Sequence, residues 1–101
     1  MLAFCFIQMH FVYILYSESI DRFYIGESKD VDARLIKHNA DNNQSSTRKG
    51  IPWKLKAKFE VPDRNYALKV EKFIKDQKNR EFTEALISRG SLKKFPEMTK
   101  V

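Results

Sequence analysis

Two runs of β-branched and aromatic residues stand near the start of the chain. Phe11–Tyr16 and Phe23–Ile25 have this composition, and the short polar run Ser17–Asp21 separates them. Such an arrangement predicts a β-hairpin. Its loop is too short for a crossover connection, so the two strands should be antiparallel. Tyr13 and Tyr24 can then lie close together on one face of the hairpin.

Helical spacing follows the hairpin. Val31 and Leu35 lie four residues apart and give the predicted helix its buried stripe. Ser28 or Asp30 can cap its first turn. The helix should run to the start of a polar segment, residues 39–50, which lacks periodicity and predicts a loop.

Strict alternation of polar and apolar residues marks Lys54–Val61. This period of two predicts a third, half-buried strand. Pro62 and Asp63 should end it. The polar positions of the alternation are expected on the open face of the strand, namely Lys54, Lys56, Lys58 and Glu60.

Two helices are predicted after this strand. Asn65–Lys78 carries apolar residues on one side and lysines on the other. Asn79 suits the cap of a second helix, Arg80–Arg89, and Gly90 should end it. The order ββαβαα therefore predicts an α+β fold, in which a small three-stranded antiparallel sheet is flanked by helices.

Length and composition predict one globular domain over residues 1–101, with its core at about residues 10–90. The apolar start is interrupted by Gln8 and His10 and is shorter than the ~20 residues that a bilayer requires, so no membrane span is expected. Residues 1–8 are expected to be a dispensable extension, and residues 91–101 a loosely ordered basic tail.

Charge and cysteine content narrow the function classes. The net charge is +6, yet residues 1–44 carry four basic and six acidic side chains, whereas residues 45–101 carry fifteen and seven. This asymmetry favours a polyanionic partner such as nucleic acid, although a lysine-rich soluble surface explains it as well. Cys5 is the single cysteine. Its solitude excludes an intrachain disulfide and a multi-cysteine metal site, and it suits the cytoplasm, with nucleoid association as an option.

Arg34 and His38 lie four residues apart on the first predicted helix and therefore share a face. Arginine matches phosphate oxygens with paired hydrogen bonds, and a neutral imidazole can accept a proton near pH 7. The alternative is a solvated arginine and a histidine stabilised by the helix dipole.

Glu71 is the only acidic residue between Asp63 and Asp76 and falls at the shoulder of the apolar face of its helix. A lone carboxylate can hold Mg²⁺ when the phosphate of a substrate supplies further oxygens. The alternative is an ordinary helix ion pair with Lys75, four residues on.

Taken in order, these segments resemble a known family. Val12-Tyr13-Ile14, Tyr24-Ile25-Gly26, Arg34, His38 and Glu71 resemble the signature of the GIY-YIG nuclease domain, and the stretch from Tyr24 to Asn39 is its most specific part. The resemblance covers residues 10 to about 90 and is strongest to the short stand-alone bacterial members. It implies a compact ββαβαα fold, in agreement with the pattern of the chain.

The resemblance also implies roles for individual residues. Tyr13 would position or deprotonate the attacking water, and Tyr24 would assist in the same region. The general base stays open between Tyr13 and His38, with Tyr24 as a minor third candidate. Arg34 would stabilise charge on the scissile phosphate, and Glu71 would bind one Mg²⁺ or Mn²⁺ ion.

Three positions depart from the pattern of the family. Phe11 stands where the first motif has its glycine, and Glu27 stands where some relatives have a lysine. Many relatives also have an asparagine after the metal-binding glutamate. Asn79 is the nearest candidate for it, and a helix-capping role explains this residue equally well.

The expected function is therefore metal-dependent endonuclease cleavage of DNA. Specificity for sequence should be weak, unless a homodimer or a partner protein supplies it. A nucleic-acid-binding module of the same fold without catalysis is the alternative, and a domain that binds an acidic protein is a third reading. The basic residues expected to contact the nucleic-acid backbone are Arg48, Lys49, Lys54, Lys56, Lys58, Lys72 and Lys75.

Overall fold

The computed structural model describes residues 9–90, so the expected extension, residues 1–8, and the expected tail, residues 91–101, lie outside the described part. Three strands, three α-helices and one 3₁₀ helix follow one another along the described chain. They confirm the predicted order ββαβαα and the α+β class. Their bounds are β1 His10–Ser17, β2 Arg22–Ser28, α1 Val31–Asn39, the 3₁₀ helix Ser46–Gly50, β3 Trp53–Val61, α2 Arg64–Gln77 and α3 Arg80–Arg89.

The three strands form one antiparallel sheet in the order β2-β1-β3. Tyr13 in the central strand pairs with Gly26 of β2 on one side and with Lys58 of β3 on the other. This register confirms the predicted hairpin. The four consecutive residues Val12 to Leu15 are all fully buried, because helices cover both faces of the central strand.

The two faces of the sheet have separate hydrophobic cores. On the face that we call the α2 face, residues of β1, β2 and β3 pack against α2 and α3 around Val12, Ile14, Phe59, Val70 and Leu86. On the opposite face, the α1 face, a smaller core contains Tyr13, Leu15, Val31 and Trp53. Tyr24 and Leu35 pack against that smaller core.

A β-bulge in β3 corrects the predicted open face of this strand. Ile14 pairs with Ala57, whereas the next residue of β1, Leu15, pairs with Leu55, so Lys56 is the extra residue. An extra residue of this kind sends the side chains on its two sides to faces opposite to those that simple alternation predicts. Leu55 accordingly packs on the α1 face, and Ala57 packs on the α2 face.

The predicted row of lysines is therefore divided between the two faces. Lys54 pairs with Tyr16, and Lys56 lines a cavity with Tyr16 and Phe23, which places both lysines on the α2 face. Lys58 pairs with Tyr13, and its Nζ lies 5.3 Å from the ring centroid of Phe11, so it lies on the α1 face. The expectation of one continuous basic face on β3 was wrong.

Side-chain caps fix the start of each α-helix. Asp30 accepts a hydrogen bond from the backbone N–H of Ala33 at the start of α1, and Asp63 caps α2 in the same way. The Asn79 side chain accepts from the N–H groups of Glu81 and Phe82, which confirms its predicted capping role. Its amide oxygen is thereby engaged in holding α3.

The polar segment 39–50 is not a loop along its whole length, and in this respect the prediction was wrong. It ends in the 3₁₀ helix, whose first turn is capped by Ser45. A helix of this length shows no apolar period, so its sequence pattern resembles that of a loop. None of the helices within residues 9–90 is both long enough and apolar enough to cross a membrane.

Candidate active site

The two tyrosines point to the α1 face and lie beside each other. Tyr13 is fully buried, and its ring centroid is 6.3 Å from that of Tyr24. The phenol of Tyr13 lies across Gly26, where an ideal Cβ atom would stand 2.5 Å from the Tyr13 oxygen. The glycine of the second tyrosine segment therefore makes room for the phenol of the first.

His38 brings α1 to this pair. Its Nε2 lies 3.0 Å from the Tyr13 hydroxyl, and its ring meets the Tyr24 ring edge-on at a centroid distance of 4.9 Å. The His38 side chain is only 7% exposed. Arg34, one turn earlier, lines the same cleft as His38, so the predicted common face of these two residues is confirmed.

A polar network holds the other side of the imidazole. His38 Nδ1 lies 3.0 Å from Thr47 Oγ1, and Thr47 in turn contacts the side chains of Asn43 and Ser45 at 2.9 and 2.7 Å. Trp53 anchors this segment because its Nε1–H donates to the carbonyl of Thr47 at 2.7 Å. Asn43, Ser45 and Thr47 were missed as site residues from the sequence. They stand in an aperiodic polar run, and only the return of that run onto α1 reveals their place.

Burial and charge displace the proton affinities of the central pair in opposite senses. Burial raises the pKa of Tyr13, and the neighbouring Tyr24 and Glu71 raise it further, while Arg34 opposes them. Burial lowers the pKa of His38, and the positive charge of Arg34 lowers this pKa further. Near neutral pH the phenol therefore carries its proton and the imidazole is neutral, so Tyr13 can donate a hydrogen bond and His38 can accept one.

Glu71 reaches this site from α2, past the edge of β2. Its side chain is 17% exposed, and its Oε2 accepts a hydrogen bond from Lys75 Nζ at 2.5 Å. The same Nζ lies 5.8 Å from the ring centroid of Tyr24, so the ion pair stands beside the tyrosines. The ion pair that the sequence predicts as one interpretation of Glu71 therefore forms, and the charge of this carboxylate also acts on Tyr13.

The carboxylate of Glu71 suits a hard divalent cation whose other ligands come from water and from the substrate. No group of three or more His, Cys, Asp and Glu side chains with the geometry of a metal site occurs between residues 9 and 90. Among residues 9–90, Glu71 is the carboxylate whose charge acts on Tyr13. Mg²⁺ is commonly held by one or two carboxylates, with water and substrate phosphate as the remaining ligands, and a single Glu71 fits this pattern.

The structure shows the positions of two residues that depart from the family pattern, Glu27 and Phe11. Glu27 pairs with Val12 and therefore points to the α2 face, away from Tyr24, and its Oε1 lies 2.5 Å from His10 Nε2. Its Oε2 lies 3.8 Å from the Arg64 guanidinium. The charge of Glu27 is therefore offset on the opposite side of the sheet. Phe11 packs on the α1 face beneath Lys58.

A cleft of about 590 Å³ opens beside the tyrosine pair. Arg34 and His38 form one wall, and the segment that leads to the 3₁₀ helix forms another. Lys37, which the sequence did not single out, adds a further positive charge. The residues that line the cleft are Tyr24, Arg34, Lys37, His38, Ala40, Asn42, Asn43, Gln44 and Ser45.

The seven basic residues expected to contact nucleic acid are unevenly placed around this cleft. Arg48 and Lys49 are exposed and directly follow Thr47, and Lys75 lies beside Tyr24. Lys72 is exposed on α2 and pairs with Asp76. Lys54 and Lys56 lie on the far face, as described above. The site therefore gathers Tyr13, Tyr24, Arg34, His38 and Glu71 but not every predicted lysine.

A comparison with known protein families identifies the family of this chain. The model of the GIY-YIG catalytic domain matches residues 9–85. The chain belongs to the GIY-YIG family. GIY-YIG domains are endonuclease domains that typically use a divalent metal ion, so this one is of nuclease type. Neither curated proteins nor solved structures gave a significant match to the chain.

Proposed function

We propose that this protein is a metal-dependent endonuclease that hydrolyses phosphodiester bonds in DNA. The observation that carries the proposal is the hydrogen bond between the Tyr13 hydroxyl and His38 Nε2, with Arg34 and Glu71 acting on the same phenol. A phenol that donates a hydrogen bond to a neutral imidazole can relay a proton from a bound water to that imidazole. Its position beside a guanidinium and a carboxylate suits attack on a phosphate.

In the proposed reaction, Tyr13 and His38 act together as the general base. The attacking water gives a proton to the Tyr13 oxygen, while Tyr13 passes its own proton to His38 Nε2. The new P–O bond forms as the bond to the leaving oxygen breaks. Arg34 stabilises the charge on the phosphate oxygens. When bound at Glu71, Mg²⁺ or Mn²⁺ supplies positive charge for the phosphate and the leaving oxygen.

The geometry favours this pair over the other candidates for the base. His38 Nε2 already faces the Tyr13 hydroxyl, so the imidazole reaches water through the phenol rather than directly. Tyr24 meets His38 only by ring contact, edge to face. Tyr24 would instead shape the pocket for the attacking water and the phosphate.

The cleft and its basic rim would bind the DNA strand through phosphate contacts. Arg48, Lys49 and Lys75 border the site, and Lys58 lies on the same face of the sheet as Tyr13. Contacts of this kind position a strand without reading its sequence, so intrinsic specificity would be weak. A homodimer or a partner protein would have to supply more. A cytoplasmic location accords with this role.

A nucleic-acid-binding module without catalysis is the second candidate. The Glu71–Lys75 ion pair favours it, because a carboxylate already neutralised by an ammonium group is less available to a metal. The two functions differ in what the removal of Glu71 does. An endonuclease would lose turnover and keep DNA binding, whereas a pure binder would have no turnover to lose.

The decisive experiment is cleavage of plasmid, branched and single-stranded DNA with Mg²⁺ or Mn²⁺ by the wild type, Glu71→Ala and Asp76→Ala. Asp76 is the matched control because it also forms an ion pair with a lysine four residues away on α2. Metal-dependent cleavage that only Glu71→Ala abolishes supports the proposal. Absence of cleavage together with salt-sensitive DNA binding by all three proteins supports the binding module.

A further inference from the structure

The amide of Asn43 has a single possible orientation. Its Nδ2 lies 2.7 Å from the carbonyl oxygen of His38, which can only accept, and its Oδ1 lies 2.8 Å from the backbone N–H of Ser45, which can only donate. The second proton of Nδ2 then points to Thr47 Oγ1 at 2.9 Å. One lone pair of Thr47 is thereby occupied.

The hydroxyl protons of Ser45 and Thr47 follow from that orientation. Ser45 Oγ lies 2.7 Å from Asn43 Oδ1, and an amide oxygen carries no proton, so Ser45 must donate. Each hydroxyl has only one proton. The 2.7 Å contact between the two hydroxyls therefore uses the proton of Thr47, which points to Ser45 Oγ.

These proton assignments for Asn43, Ser45 and Thr47 determine the tautomer of His38. Thr47 has no proton left for the imidazole, so the 3.0 Å contact must be a hydrogen bond from His38 Nδ1–H to Thr47 Oγ1. A neutral imidazole carries one proton, which leaves Nε2 with a bare lone pair. That lone pair faces the Tyr13 hydroxyl, which donates to it at 3.0 Å.

We propose that Thr47 is a positioning residue that holds His38 in the Nδ1–H tautomer, so that Nε2 can receive the proton of Tyr13. Asn43 and Ser45 orient the Thr47 hydroxyl for this task. The proposal rests on the proposed function for its catalytic consequence. In the opposite tautomer, Nε2 would donate to Tyr13 and could not accept its proton.

The protonation of His38 can be observed without any substrate. In ¹⁵N NMR of the imidazole, a nitrogen that carries hydrogen is distinguished from one that does not, and His10→Gln separates the signals of the two histidines between residues 9 and 90. We expect the wild-type His38 to be protonated at Nδ1. Protonation at Nε2 in the wild type would overturn the proposal.

Three variants then test the role of the network. Thr47→Val removes the acceptor of the Nδ1–H group, so the population should move to the Nε2–H form. Thr47→Ser retains Oγ and should restore the wild-type tautomer. Ser45→Ala removes the acceptor of the Thr47 proton and should allow that proton to turn to Nδ1. A wild-type tautomer in both Thr47→Val and Ser45→Ala contradicts the proposal.

Kinetics connect the tautomer to catalysis. Thr47→Val should lower kcat about ten- to a hundredfold, the range typical for loss of an orienting partner, with little change in KM, and Thr47→Ser should recover most of it. An unchanged kcat in a Thr47→Val protein with the altered tautomer would overturn the positioning role. If the wild type cleaves no DNA, the proposed function fails, while the NMR result still decides the assignment of the proton.

Discussion

The phenol of Tyr13 lies directly over the backbone of Gly26 on the neighbouring strand. The two residues are paired in the sheet, and an ideal Cβ at Gly26 would stand 2.5 Å from the Tyr13 oxygen and 3.0 Å from the ring of Tyr24. The first distance is shorter than a Cβ atom tolerates, and the second is tighter than most Cβ contacts. The absence of a side chain at Gly26 therefore leaves the space that the Tyr13 phenol occupies beside Tyr24 and His38.

Gly26→Ala should impair cleavage more than it impairs folding. The new methyl group must push the Tyr13 phenol away from His38 Nε2, and displacement of a reacting group by 1 Å can cost about 100-fold in rate. Overpacking of this kind destabilises a protein by about 1–3 kcal/mol. Steady-state cleavage rates and thermal unfolding of the variant, measured side by side, test both expectations.

Gly90→Ala is the matched control for that substitution. Gly90 has a φ of 68°, and among residues 9–88 no heavy atom lies within 4 Å of an added Cβ. Alanine there is strained by about 1–2 kcal/mol in the backbone but displaces no side chain of the site. This variant should unfold at a lower temperature and cleave as the wild type does. Equal losses of cleavage in the two glycine variants would show that stability, and not the position of Tyr13, determines the rate.

Lys75 is expected to compete with a metal ion for Glu71. Because Lys75 Nζ bonds to the same carboxylate, Lys75→Met should strengthen the binding of Mn²⁺ about twofold, as expected from the weak energy of an exposed helix ion pair. Lys72→Met removes an equal charge and an analogous ion pair from α2 and should leave the affinity unchanged. Titration calorimetry without DNA separates the two. Weaker Mn²⁺ binding by Lys75→Met alone would contradict the competition.

The lowered pKa of His38 should make folding sensitive to mild acid. In the unfolded chain histidine titrates near 6.5, whereas burial and Arg34 hold the pKa of the folded His38 below that value. Below pH 6.5 the unfolded state therefore binds more protons, and the free energy of unfolding should fall as the pH is lowered. The loss ends once the pH has passed the folded pKa of His38.

Replacement of His38 by glutamine should remove this contribution. We expect the unfolding temperature of the wild type to fall more steeply than that of His38→Gln between pH 6.5 and mildly acidic pH. All other titrating groups are shared by the two proteins, so their difference isolates His38. Parallel curves would show that the pKa of His38 is not lowered by folding.

The division of the β3 lysines predicts unequal contributions to DNA binding. Lys58 shares the α1 face with Tyr13, so Lys58→Ala should weaken binding and reduce the slope of log affinity against log salt by about 1. Lys54→Ala and Lys56→Ala remove the same charge from the α2 face and should leave the slope unchanged. Fluorescence anisotropy over a range of salt concentrations measures all three. Equal slope changes would place DNA on both faces.

Local pattern was enough to predict the elements and much of their order. Caps such as Asp30, Asn79 and Gly90 act within one turn of the backbone, so they are legible in the sequence. The spacing of Arg34 and His38 likewise fixes their common face, because helix geometry alone determines it. The ordered motif around Tyr24 then led from the chain to its family.

The contacts between distant segments were decided only by the tertiary structure. The bulge at Lys56 arises from the hydrogen-bond register between β1 and β3, which an alternating pattern does not encode, and it sends Lys54 and Lys58 to opposite faces. Likewise, the meeting of Thr47 with His38 depends on the return of an aperiodic segment onto α1. Sequence periodicity records which face of an element is buried. Periodicity does not indicate which side chains from other elements contact that face, and the chemistry of this site depends on those contacts.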